Sequence, residues 1–204
     1  MKHIKWKSLF LTTFACLLPI LLGVILWERL PGEIAIHYEM YNKPDNFSSK
    51  GFVVFGFPFL MAVLQGFCSV ALDLDPKKRG ENEKVLNVMK WIIPVLTIVL
   101  QIVTLLYALG LNVDIRRVAI LIVSVMFFVI GETLPKLGYV KNYDIEPEKA
   151  KKINRFLGRI MIVLGALMML TFFLPPIATV IWLILLIPYT VFSIVYTIKT
   201  GRKK

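Results

Sequence analysis

Six stretches of this chain are apolar over close to the length that a helix needs to cross a membrane. They run roughly over Leu9–Trp27, Phe52–Leu72, Trp91–Leu109, Val118–Leu134, Phe156–Leu174 and Ile177–Ile198. A hydrocarbon core of about 30 Å takes about 20 helical residues at about 1.5 Å each. Inside such a core every backbone N–H and C=O must find its partner within the protein, so a run of this length folds as a helix. The fourth run is the shortest. Composition agrees, since 57% hydrophobic and 18% charged residues with a mean hydropathy of +0.73 lie outside the soluble range. The expected architecture is an all-α integral membrane protein with six transmembrane helices.

Charge sets the expected orientation. Nineteen of the 24 Lys and Arg fall in the N-terminal segment, the second and fourth connectors and the C-terminal tail, against five in the remaining connectors. By the positive-inside rule both termini are expected to be cytoplasmic, with a basic loop over 73–90 and another over 135–156. The N-terminal half is read as 1–90, with two spans, and the C-terminal half as 91–204, with four. The net charge of +11 is then a topology signal, and it also suits anionic membrane lipids. Nucleic acid is not expected as a partner, because no basic patch is interleaved with stacking aromatics. Cys16 and Cys68 lie inside runs, where cysteine acts as a small hydrophobe. The first run continues past Cys16 to Trp27 and reads as a retained helix rather than a cleaved signal.

The longest polar segment on the expected outer face is Arg29–Gly51, RLPGEIAIHYEMYNKPDNFSSKG. Pro31-Gly32 interrupts what precedes it. Glu33–Tyr38 alternates with a period near two and suggests one strand-like piece. Asn42-Lys43-Pro44-Asp45-Asn46 has turn chemistry. The whole reads as an ordered extracellular loop over 29–51. His37 and Glu39, two apart, would share a face of an extended strand. With Asp45 they could make a thin metal site; the other readings of His37 are a hydrogen bond holding the loop together and direct contact with a partner, with titration near neutrality. No metal or other cofactor is assigned.

Leu30, Pro31, Ile34, His37, Pro44, Asp45 and Lys50 stand in an order that resembles a bacterial membrane domain of unknown function 1648, which forms the N-terminal half of the SdpI-like immunity proteins. That family usually has glycine where this chain has Asn42; both accept positive φ. The connector is also similar to the family's cytoplasmic loop at Asp75, Pro76 and the following basic pair and Asn82, although the residues themselves read as a solvated turn. Gly131, Pro135 and Lys136 match a further junction, with Glu132 standing where the family has asparagine. Arg155 and Gly158 match after that, whereas an Arg-Thr-Pro-Trp-like element is missing around Tyr139–Asp144, so the likeness weakens in the C-terminal half.

Polar residues within the runs are few. Gln65 sits near mid-membrane and should bond to another helix. Thr97, Gln101 and Thr104, spaced by four and three, share one helix face. They read either as helix-to-helix hydrogen bonds or as the lining of a small hydrated cavity. Glu132 lies near the inner end of the fourth run, where an ionisable group is a functional candidate, unless it simply pairs with Lys136. Lys149, Lys152 and Arg159 form a basic face suited to lipid headgroups, on a helix started by Glu146-Pro147-Glu148.

No phosphate loop, H-E-x-x-H, G-x-S-x-G or C-x-x-C appears. An enzyme is not expected. The resemblance implies a membrane protein conferring immunity to a secreted antimicrobial peptide, with His37, Asn42, Pro44, Asp45 and Lys50 facing the toxin. It also implies signalling to a cytoplasmic transcriptional regulator through Asp75, Pro76, Asn82, Pro135, Lys136 and Arg155, because the family's inner face sequesters a repressor. The alternative is a small transporter or lipid-handling protein whose path would use Gln65, Thr97, Gln101, Thr104 and Glu132.

Overall fold

The computed structural model describes residues 4–39, 41–74, 83–136 and 147–201. Among these, six helical spans are long and apolar enough to cross a membrane: Trp6–Ile25, Phe52–Leu74, Glu83–Ala108, Ile115–Lys136, Glu148–Phe173 and Pro176–Thr200. The chain is a multi-pass membrane protein. Its span surfaces would not tolerate water, with Phe10, Phe67 and Phe173 exposed by 75%, 73% and 80%.

The first span is broken, as its proline suggests. Helix α1 covers Trp6–Ala15 and α2 covers Pro19–Ile25. Pro19 opens the second piece, and between them the amides of Leu17 and Leu18 bond three residues back, to Phe14 and Ala15. A tight turn at Trp27–Arg29 ends the span. The second span opens with a π-helical turn, Phe52–Gly56, that runs into α3, Phe57–Leu74. The remaining helices are α4, Glu83–Ala108; α5, Ile115–Thr133; α6, Pro147–Leu170; and α7, Pro176–Gly201.

Helices α4 and α6 start about two turns before their apolar runs. For α6 this is the start expected from Glu146-Pro147-Glu148, and in both the long Lys, Glu and Arg chains reach water from inside the membrane border. Lys90, counted as connector, is therefore a helical residue. The outer loop also holds more than one strand. Strand β1, Glu33–Tyr38, pairs antiparallel with β2, Pro44–Ser49. The register runs Glu33 to Ser49, Ile34 to Ser48 and Ala35 to Phe47, then shifts around His37.

The described residues form two compact units, one of 4–74 with 86–118 and one of 83–85 with 119–201. In the first, the hairpin sets Ile34 into a core with Leu30, Val53, Val54 and Leu105, bordered by Leu22, Leu26 and Trp27. Ile34 is 1% exposed, and burial of such a side chain contributes about 2 kcal/mol. In the second, Ile120, Met168 and Trp182 form the core, with Phe127 edge-on to Trp182. Helices α5 and α6 cross closely there. A Cβ at Gly131 would lie 2.7 Å from the Gly158 carbonyl, and one at Gly158 would lie 2.6 Å from the Gly131 carbonyl. Only glycine allows that approach.

Candidate functional site

The hairpin is fastened to the spans at four points, each made by a residue of Arg29–Gly51. The first is Ile34 in the core. The second is Lys50, whose Nζ donates to the carbonyls of Trp27 at 3.1 Å and Leu30 at 3.4 Å and sits 4.5 Å from the Trp27 ring centre. At the end of the first span the Trp27 carbonyl takes only a 3.3 Å bond from the Leu30 amide, and a cation is a natural cap for such a helix end. Lys50 is thus engaged within the fold. Its own amide donates to Gly32 at 2.8 Å.

The third point is Asn42. Its φ of 64° places it in the left-handed region that closes the hairpin turn. There its amide donates to the Glu39 carbonyl at 2.9 Å, and the Glu39 amide donates to Lys43 at 2.8 Å. The side chain does separate work: Nδ2 donates to the Val113 carbonyl at 3.0 Å, and Oδ1 accepts from the Ile115 amide at 2.8 Å. Asn42 therefore caps α5 from 73 residues away, which glycine could not do. The fourth point is Tyr38, edge-on to Tyr107 with ring centres 4.9 Å apart. Burial, and secondarily Tyr107, pushes its phenol up to about 12. The fold favours the neutral phenol, so this stabilisation is whole below the usual pKa of about 10 and is lost as pH rises through about 12.

What the hairpin presents outward is different. His37 Nδ1 donates to Asp45 Oδ1 at 2.6 Å, with the two side chains 67% and 36% exposed. The carboxylate holds the ring in one orientation and leaves its Nε2 edge open to a partner from outside the chain. Pro44 starts β2 opposite Tyr38. Glu39 is not on the strand with His37: β1 ends at Tyr38, and Glu39 belongs to the turn. Among the described residues no three His, Cys, Asp or Glu side chains converge as metal ligands would.

Two intramembrane glutamines of the first unit satisfy carbonyls that prolines leave open. In a π turn each carbonyl accepts from the amide five residues on; for Val53 that residue is Pro58, which has no N–H. Gln101 Nε2 donates to the Val53 carbonyl at 2.9 Å. Pro94 likewise leaves the Lys90 carbonyl open four residues back, and Gln65 Nε2 lies 2.8 Å from it, 2.9 Å from Thr12 Oγ1 and 2.8 Å from Ser69 Oγ. Thr97 Oγ1 donates to the Ile93 carbonyl at 2.8 Å. Thr97 and Gln101 are buried, and Thr104 is half-buried on the same helix.

Two charges in the same unit escaped the sequence reading. Lys90 Nζ lies 2.7 and 2.8 Å from the two oxygens of Asp73, with side chains 0% and 2% exposed. Asp73 Oδ2 also accepts from the Lys5 amide at 3.0 Å. One signal pointed to this pair: Lys90 precedes Thr97 by seven residues and continues the stripe of Thr97, Gln101 and Thr104 two turns along α4.

In the second unit Glu132 pairs with Lys136 at 3.4 Å on an exposed helix end. Pro135 packs against Gly158, and Arg155 is exposed on α6. Asp75, Pro76 and Asn82, like Tyr139–Asp144, lie outside the described residues.

A six-span chain whose first three spans carry a braced β-hairpin on one end defines a polytopic membrane protein with an ordered recognition-sized loop. The family model described as Domain of unknown function (DUF1648) matches residues 14–62, which span α2, the hairpin and the start of α3. The chain is also 27% identical over 175 residues to "Immunity protein SdpI" of Bacillus subtilis (strain 168), covering 82% of this chain and 82% of that protein. No solved structure matches it. The chain is thus similar to SdpI over most of its length, and its N-terminal part matches the DUF1648 model.

Proposed function

We propose that this chain confers immunity on its host cell against a secreted antimicrobial peptide, acting as a binding protein rather than an enzyme. The observation that carries the reading is the braced hairpin. It lies within the DUF1648 match, in a chain similar to an immunity protein over most of its length. Four fastenings hold its rear to the spans while His37 and Asp45 stay open in front. With the basic connectors cytoplasmic, that front faces the peptide's side of the membrane. Signalling to a cytoplasmic regulator would use Pro135, Lys136 and Arg155, at the connector expected to be cytoplasmic, with Lys152 and Arg159 of α6 suited to anionic lipids. Transport is the weaker reading, because Gln65 and Gln101 are already bonded to backbone carbonyls.

The test is survival of a sensitive Gram-positive host expressing the chain, challenged with the secreted peptide encoded nearest to it. The expected outcome is protection by the intact chain and its loss in His37→Ala, at unchanged membrane abundance. No protection by the intact chain would sink immunity.

A further inference from the structure

We infer that the outward face of the β1–β2 hairpin docks a cationic, amphipathic peptide segment, with Phe47 and Tyr41 as its apolar contacts and Glu33, Glu39 and Asp45 selecting its charge. The inference rests on the immunity reading and names the chemistry of its partner. Phe47 and Tyr41 are 50% and 69% exposed, on a hairpin whose burial is already satisfied by Ile34. Because Lys50, Asn42 and Tyr38 tie the hairpin down, it cannot roll to hide them. Exposed apolar side chains held so rigidly beyond the spans mark an interaction surface.

Charge decides what lies on it. Between residues 33 and 49 the acids are Glu33, Glu39 and Asp45 and the single base is Lys43, so the hairpin carries −2 in a chain of +11. All four are exposed. The ladder places Glu33 and Ala35 opposite Ser49 and Phe47 and brings His37 to Asp45, so carboxylates flank the phenylalanine on one face. Complementary charge speeds encounter and rejects wrong partners. An anionic lipid surface would be repelled by the same carboxylates, which favours a peptide over the membrane as occupant.

The experiment uses the full chain in nanodiscs of phosphatidylcholine, with empty discs as baseline. The probes are a labelled 18-residue peptide of Lys and Leu with an amphipathic pattern and its Glu-for-Lys counterpart. The expected result is binding of the Lys peptide above baseline, weakened by salt, with no binding of the Glu peptide. Phe47→Ser and the double variant Glu33→Gln/Glu39→Gln, all at exposed positions, should each weaken it about tenfold. Equal binding of both peptides, binding no greater than to empty discs, or unaltered affinity in both variants would overturn the inference. The same variants are then scored for survival. An intact chain that does not protect refutes immunity itself, whereas an intact chain and a Phe47→Ser/Glu33→Gln/Glu39→Gln variant that protect equally refute only the docking face.

Discussion

A lysine ammonium and an aspartate carboxylate lie 2.7 Å apart in the first unit with 0% and 2% of their side chains exposed. Taking both charges out of water is costly, so the pair stands only because each oxygen and the ammonium find partners, including the Lys5 amide. Removing one partner should therefore cost far more than removing both. Lys90→Met is expected to lose about 3–5 kcal/mol, seen as a lower midpoint of thermal unfolding in detergent, and Lys90→Met/Asp73→Leu should recover most of it. A double variant no more stable than the single one would refute this account. The same logic separates Lys50 from His37. Lys50 is consumed by carbonyls of the first span, whereas His37 is held by Asp45 and remains available.

At the scale of elements, prolines break the hydrogen-bond ladders of α3 and α4, and glutamines from facing helices repair them. Gln65 serves the carbonyl freed by Pro94, and Gln101 the one freed by Pro58. An unmet carbonyl in an apolar setting costs about 1–3 kcal/mol. Gln65→Leu should destabilise the protein by that order, and Pro94→Ala should soften the loss, because alanine supplies the N–H that the Lys90 carbonyl lacks. A double-mutant cycle on thermal stability reads the coupling; strictly additive effects would show that the glutamine answers some other need. The hairpin follows a similar rule. Asn42 closes its turn by backbone conformation and caps α5 with its side chain.

For the whole molecule, the excess of Lys and Arg on one set of connectors sets the expected direction of insertion. A single cysteine at Phe47 should react with an impermeant thiol reagent added to intact cells, and one at Lys199 should not, with Cys16 and Cys68 replaced. The reverse pattern would put the hairpin in the cytoplasm and refute recognition of an external peptide. The close crossing of α5 and α6 at Gly131 and Gly158 belongs to this scale too, since it brings the backbones of two helices of the second unit together.

Apolar run length, charge asymmetry and turn residues are properties of neighbouring residues, and they suffice for the six spans, the ordered loop and the motif around His37 and Asp45. Even the second strand was half written there, in Pro44 and the β-prone Phe47, but its polar residues hid the alternation. The remaining features join residues far apart in the chain. Lys90 meets Asp73 across 17 residues, Gln65 reaches Lys90 across 25, Gln101 reaches Val53 across 48, and Asn42 caps Ile115 across 73. Periodicity can say that such a side chain points off one helix face, as it did for Gln101 and, about three turns earlier, could have done for Lys90. Which carbonyl or charge it meets depends on how helices pack side by side, and that packing is set by the sum of all their contacts rather than by any local run of residues.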